Sequence, residues 1–263
     1  TLNTDSDILS FLQSVQLTTY APLKKTMRKN CRTITLKLKN NMSKDRKLST
    51  EATEEEIANG IKDEFGVVYS KDGKRLLECQ NKELESYEIR KGTEMICDLA
   101  FAWCKLLQKI STPDSVQIIG DRAFEECLSL QQLVIPDSVI DIGRQTFMCC
   151  ESLQQISIPN TITSIKCWTF CACKLLQEII IPDSVTTIGE NAFGGCNSLQ
   201  TITIPDTVTH IGLGAFCRCE LLQRVNIPKS LKTIGSDAFE GCDLLEPIAI
   251  PKTVIIEKPD LPF

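Results

Sequence analysis

The sequence predicts an α/β, β-rich solenoid, with one short parallel strand in each 23-residue repeat and a small α+β cap at the N-terminus. The prediction depends on three columns of residues that recur at intervals of 23 without insertion or deletion. The columns are Pro113, Pro136, Pro159, Pro182, Pro205, Pro228 and Pro251; Phe101, Phe124, Phe147, Phe170, Phe193, Phe216 and Phe239; and Cys104, Cys127, Cys150, Cys173, Cys196, Cys219 and Cys242. The 263 residues are 42% hydrophobic and 24% charged, which excludes the disordered and membrane classes of composition.

The first part of the chain, residues 1–65, does not share the period and is predicted to be a basic cap and linker. Within it, DSDILSFLQS (residues 5–14) is typical of a short amphipathic helix, and RTITLKL (residues 32–38) alternates as a strand does. No apolar run approaches the length of a membrane helix, and no signal peptide is visible.

A second helix is predicted where the cap meets the rest of the chain. Thr53 and Glu56 form a capping box, and Ile57, Ile61 and Phe65 follow at helical spacing. The next residue, Gly66, suits the C-terminal end of that helix. Residues 66–83 are expected to form a lead-in β-hairpin.

Each repeat begins with a strand. In the unit LQQLVIPDSVIDIGRQTFMCCES (residues 130–152), Leu133 and Ile135 are the inward residues of a short strand, and Pro136 ends it because proline offers no N–H. Gly143 is expected to adopt a positive φ. Residues 144–150 are expected to form one helical or 3₁₀ turn that closes the coil.

The solenoid is predicted to span residues 84–256, followed by a C-terminal tail at residues 257–263. Its first repeat is degenerate, since Arg90 stands in place of proline and Cys97 in place of glycine. Ile248 to Val254 completes a last strand, which gives eight stacked strands.

The unit L-x-x-I-x-I-P-x-S-V-x-x-I-G-x-x-A-F-x-x-C-x-S resembles the BspA-like leucine-rich repeat, and the resemblance covers residues 84 to about 256. The hairpin GVVYSKDGKRLLEC (residues 66–79) is similar to the segment that leads into such arrays. The resemblance implies a leucine-rich-repeat solenoid on a bacterial cell surface or in a secreted protein. It also implies adhesion to a host or matrix protein, and no chemistry.

Cysteine is unusually frequent, at 14 residues. Because seven form a column beside phenylalanine and leucine columns, free buried thiols are expected, with occasional disulfides between stacked neighbours as the alternative. Cys171-Ala-Cys173 and Cys217-Arg-Cys219 lack the two-residue gap usual for zinc, so neither metal nor cofactor is expected.

No catalytic constellation is expected either. The only histidine, His210, falls in a polar column, and nothing in the sequence places a nucleophile beside it. A column of aspartates could bind calcium: Asp114, Asp137, Asp183 and Asp206. Because Asp beside Ser is typical of turns, we prefer the interpretation that these residues cap turns.

Basic charge is concentrated near the N-terminus. Lys24 to Lys47 offers a contact for nucleic acid or an anionic surface, which is one alternative function. No stacking aromatics interleave with it and no nucleic-acid-binding motif is present, so nucleic acid is not the expected partner.

Two kinds of outward column remain. Gln108, Gln131, Gln154, Gln177, Gln200 and Gln223 are expected to hydrogen-bond through their amides along the stack. The outward strand positions vary, and we call them the strand face: Lys109, Gln132, Val134, Gln155, Ser157, Glu178, Ile180, Thr201, Thr203, Arg224 and Asn226. Variation over a constant core predicts a protein-binding face, with a purely structural spacer as a second alternative. The sequence does not indicate an oligomeric state.

Overall fold

The computed structural model describes residues 49–258. They form one helix, α1 (Glu54–Ala58), and 18 short strands. The strands are β1 (Ile61–Lys62), β2 (Val67–Tyr69), β3 (Arg75–Cys79), β4 (Ser86–Glu88), β5 (Met95–Ile96), β6 (Lys109–Ser111), β7 (Ile118–Ile119), β8 (Gln132–Val134), β9 (Asp141–Ile142), β10 (Gln155–Ser157), β11 (Ser164–Ile165), β12 (Glu178–Ile180), β13 (Thr187–Ile188), β14 (Thr201–Ile202), β15 (His210–Ile211), β16 (Arg224–Val225), β17 (Thr233–Gly235) and β18 (Ile255–Glu257). The cap helix and strand expected within residues 1–48 lie outside the described residues, as do residues 259–263 of the tail.

The repeats stack into two rows of parallel strands. The even-numbered strands β4 to β16 form the front row, and the odd-numbered strands β5 to β17, with β18, form the back row. Equivalent residues face one another, as Ile156 faces Leu133 and Ile179. The predicted strand of each repeat is the front one, and the return segment adds a second.

Three-residue front strands follow from the alternation of side chains. In β8, β10 and β12 the middle residue is buried and its neighbours are exposed. The proline column closes each strand as predicted. The carbonyl of Pro136 also accepts the N–H of Val139 at 3.0 Å, a turn bond that recurs at every proline of the column.

The predicted helical turn at residues 144–150 is wrong. The segment is a series of turns in which Gln145 and Cys149 have positive φ values of 55° and 62°. Their N–H groups donate to Cys167 and Cys171 of the next repeat, at 3.1 and 2.8 Å. A helix would direct these donors along its own axis, so bonding to the next turn of the solenoid excludes it.

The reason given for Gly143 is also wrong. Gly143 is absent from the residues with positive φ. A Cβ built there would lie 2.4 Å from the main-chain nitrogen of Asp121 and from the carbonyl carbon of Gly120. Glycine is therefore favoured because two main-chain segments pass very close to each other.

The phenylalanine column forms a continuous ladder through the core. Neighbouring rings lie 5.3–5.6 Å apart with interplanar angles of 4–10°. Phe101 to Phe216 are fully buried, and Phe239 at the last turn is partly buried. Each inner ring is thus covered by the rings of both neighbouring repeats, and no single repeat could bury it alone.

The cysteine column runs beside this ladder as free thiols. Cys150 donates its S–H to the carbonyl of Phe124 at 3.2 Å, and the same bond to the phenylalanine 26 residues earlier recurs from Cys127 to Cys242. Burial raises the pKa of the Cys150 and Cys173 thiols well above the usual range. All thirteen described cysteines are free and ten of them are buried, whereas Cys167, Cys217 and Cys242 are partly buried; Cys31 lies outside the described residues.

The first turn is covered by the predicted hairpin. Strands β2 and β3 pair antiparallel, and β3 then pairs parallel with β5 of the back row. The Thr53–Glu56 capping box is confirmed, but α1 ends at Ala58, so the helix predicted to extend to Phe65 is wrong. Instead Ile61–Lys62 pairs with β2, and Gly66 occupies a hairpin turn with a φ of 85°.

The last turn differs from the prediction. No strand forms at Ile248, so residues 49–258 hold seven front strands rather than eight. The chain rejoins the stack in the back row, where β18 pairs with β17 through Thr233 facing Ile255. This pairing is offset by 22 residues instead of 23, which shows where the repeat loses its register.

We expect Phe147→Ala to lower the free energy of unfolding by about 3–5 kcal/mol, because the ring is buried on both sides. Phe239→Ala is the matched control, since its ring stacks on Phe216 alone, and a loss of about 1–2 kcal/mol is expected there. Urea unfolding measures both losses. Equal losses would contradict the account of the ladder.

Alkylation by iodoacetamide at neutral pH should leave Cys127, Cys150, Cys173 and Cys196 unmodified in the folded chain, because burial raises their pKa. Among the described cysteines, Cys242 should react first, since it is only partly buried and the neighbouring Cys219 thiol lowers its pKa. Peptide mass spectrometry before and after unfolding in urea measures the order. Early labelling of Cys150 would refute a closed core.

Candidate functional site

The strand face lies on the outer side of the front row, and all eleven of its residues are exposed. The two apolar members are the most notable, since Val134 is 75% and Ile180 72% exposed. The remaining members are polar or charged. The alternation of the strands therefore places every residue that the sequence predicted for this face on the solvent side.

Register decides which side chains are neighbours. Gln132, Gln155 and Glu178 follow one another in one column. Val134 and Ile180 lie in the adjacent column on either side of Ser157, about 10 Å apart at two strand spacings. The central part of the face therefore presents two apolar side chains separated by a small one and flanked by amides and a carboxylate.

Beyond β12, side chains of the strand face form hydrogen bonds with other residues of the same chain. Arg224 donates from Nε to Oε1 of Glu246 at 3.3 Å, but both side chains are largely exposed, so the pair adds little stability. The Asn226 amide donates to the carbonyl of Ile204 at 2.7 Å and accepts its N–H at 2.8 Å. Asn226 thus continues the inter-turn pairing with its side chain, which leaves that amide less available to a ligand.

The glutamine column lies along the edge of this face. Its members are exposed, and their hydrogen bonds along the stack are made by the main chain: the N–H of Gln154 donates to the carbonyl of Gln131 at 3.2 Å. No side-chain amide bond between these glutamines occurs among the described residues. The predicted amide ladder is therefore replaced by a main-chain ladder.

An open groove of about 830 Å³ lies where the strand face meets the hairpin. We call it the end groove. Its walls include Phe65, Tyr87, Glu88, Arg90, Lys91 and Lys109. Only Lys109 among these was predicted as a binding residue.

A buried polar network fixes the floor of the end groove. The Tyr87 hydroxyl donates to Oδ2 of Asp63 at 2.5 Å and lies 2.6 Å from the Tyr69 hydroxyl. Burial, together with these hydrogen bonds, raises the pKa of Tyr87 above its usual range. The Arg90 guanidinium lies over the Tyr69 ring, 4.4 Å from its centroid, and 3.7 Å from Asp63. The one sequence signal for this site was Arg90 in place of a proline.

The structure places the residues considered for catalysis or metal binding in different surroundings. His210 is exposed, and its Nδ1 lies 2.6 Å from Oγ1 of Thr209. Cys171 is buried, and burial raises its pKa. Within residues 49–258, no three His, Cys, Asp or Glu side chains converge in a way that could hold a metal ion.

The turns after the prolines are held mainly by serine and threonine. Ser138 and Ser184 donate to carbonyls of the preceding repeat, those of Val116 and Ile162, both at 2.7 Å. In the aspartate column, Asp206 accepts the N–H of Lys229 at 3.1 Å. These bonds support the turn interpretation and connect successive repeats.

The basic segment from Lys24 to Lys47 lies outside the described residues. Within the part of the chain that the structure describes, no helix has the length and apolar character needed to cross a membrane.

Comparison with known proteins identifies the repeat. The sequence profile of the BspA type Leucine rich repeat region matches residues 78–177 and 140–258, with six copies. No curated protein matches the chain.

Three solved structures share the fold. A leucine-rich repeat protein from Eubacterium ventriosum is 23% identical with a TM-score of 0.64 and covers 73% of this chain. One from Bacteroides ovatus is 29% identical with a TM-score of 0.51 and covers 74%. This chain spans 51% of the length of each. A leucine-rich repeat protein of T. pallidum is 25% identical with a TM-score of 0.53, covering 74% of this chain and 79% of its own.

The matched region covers well over half of the sequence and includes every described turn of the solenoid. Such repeat solenoids are typically non-catalytic scaffolds whose extended surfaces bind other proteins. The chain belongs to the BspA-type leucine-rich repeat family.

Proposed function

We propose that this chain is a non-enzymatic protein-interaction or adhesion module of a bacterial cell-surface or secreted protein. It binds a protein ligand, such as a host or matrix protein, along the strand face. The observation that carries the proposal is the exposed pair Val134 and Ile180 on an in-register sheet whose core positions are nearly constant.

Single exposed apolar residues are common on protein surfaces. The pair is less ordinary, because a rigid main-chain ladder presents both residues on one sheet surface, with polar residues around them. An apolar centre within a polar rim is the usual arrangement of a protein interface. The strand face is also the surface on which the outward residue changes from repeat to repeat.

Non-enzymatic action is supported by the state of the reactive groups. The column thiols from Cys104 to Cys219 are buried with raised pKa values, and within residues 49–258 the hydrogen-bond partner of the His210 ring is Thr209. A cell-surface or secreted location is supported by the family resemblance.

Ile180→Asp and Arg224→Glu should each weaken binding to a partner about tenfold while leaving the melting temperature unchanged, because both side chains are largely exposed. The partner is first selected from immobilised extracellular-matrix and serum proteins with the unaltered chain. Biosensor titration then gives the affinities.

The matched control is Ile140→Asp, which alters a 58% exposed isoleucine beyond the proline turn and outside the strand face. It should bind like the unaltered chain. The proposal fails if Ile180→Asp keeps full affinity, or if Ile140→Asp loses as much as Ile180→Asp does.

A further inference from the structure

The end groove combines three cations on its walls with two carboxylates, Glu88 on a wall and Asp63 on the floor. Arg90, Lys91 and Lys109 are exposed on its walls, and Glu88 is the one acidic residue there. Neither Lys91 nor Lys109 forms an ion pair with any residue from 49 to 258. Because Arg90 is balanced by Asp63, Lys91 and Lys109 against Glu88 leave the groove one net positive charge, although the whole chain has a net charge of -5.

One wall of the groove is aromatic. The Phe65 ring is 49% exposed and packs edge-on against Tyr87, with ring centroids 5.9 Å apart. Tyr87 packs in turn on Phe101, the first ring of the core ladder, at 5.8 Å. The exposed ring is therefore supported by the core and offers an apolar contact beside the cations.

The geometry of the groove is set before any ligand arrives. The carboxylate of Asp63 accepts the N–H groups of Phe65 and Val67 at 3.0 and 2.8 Å, in addition to the Tyr87 hydroxyl. Arg90 is held over Tyr69 by stacking. A fixed floor and a supported aromatic wall reduce the entropy lost on binding, and a volume of about 830 Å³ is sufficient for several residues of a peptide.

We propose that the end groove binds an acidic, extended segment of the partner protein. A carboxylate of the segment lies between Lys91 and Lys109, and a neighbouring apolar side chain packs on Phe65. This inference depends on the proposed function, because Lys109 belongs to both the end groove and the strand face, so a bound segment would continue onto that face. The basic segment from Lys24 to Lys47 of this chain has the wrong charge to occupy it.

A displayed library of short random peptides, selected on the full chain, tests the proposal. The selected peptides should be enriched in Asp and Glu next to an apolar residue. The affinity of the tightest peptide should fall about tenfold in the double variant Lys91→Glu/Lys109→Glu and several-fold in Phe65→Ser. Added salt should weaken the contact between the peptide carboxylate and the two lysines. Unchanged circular dichroism and melting temperature establish that both variants fold.

The charge-matched control is Lys232→Glu/Lys252→Glu, which alters two exposed lysines near the other end of the solenoid. It should keep full affinity. Failure to select any peptide, selection of peptides without acidic enrichment, or an equal loss in the control would each overturn the proposal. Tighter binding of a single-stranded oligonucleotide, abolished by the groove variant, would also overturn it.

The two proposals fail separately. If Ile180→Asp weakens partner binding and the groove variant does not, the strand face stands and the end groove falls. If the groove variant loses the acidic peptide while Ile180→Asp keeps the partner, the strand face falls and the peptide site remains.

Discussion

Every turn of this solenoid is joined to the next by main-chain hydrogen bonds between corresponding segments of neighbouring repeats, and this bonding dictates where all other groups lie. The front strands, the back strands and the closing turns each supply N–H groups to the neighbouring repeat. A side chain can then stack only on its counterpart 23 residues away. Phenylalanine rings become a ladder and cysteine thiols become a column, each thiol bonding a carbonyl of the preceding turn.

The same bonding leaves the outward positions free to vary. A front strand fills the core with its middle residue, so its two outer residues contribute little to folding. At the first turn the bonding ends against the hairpin, and the junction creates a groove whose polar floor is buried and whose walls are charged. A repeated core thus supports two surfaces of different character, one lying along the stack and one at its beginning.

Residue columns predicted the core, seven of the eight expected front strands and the exposure of the strand face, because side-chain alternation depends only on local periodicity. Features that depend on contacts between repeats were harder to predict from the sequence. Positive φ at Gln145 and Cys149 and the close main-chain approach at Gly143 arise from the neighbouring turn, so the sequence pattern suggested a helical turn and a positive φ at the wrong residue. The end groove was missed because Phe65 comes from the turn between β1 and β2, Tyr87 and Arg90 from the first repeat, and Lys109 from the second. The strand expected at Ile248 fails where the period slips by one residue.

Removal of one whole period tests the central claim most directly. Deleting residues 153–175 joins Ser152 to Leu176, an equivalent of Leu153, and leaves Phe147 to stack on Phe193. If each repeat depends only on its neighbours, the shortened chain should unfold cooperatively in urea, and X-ray scattering should show a solenoid shorter by about 4.8 Å. An unfolded or aggregated product would contradict the account.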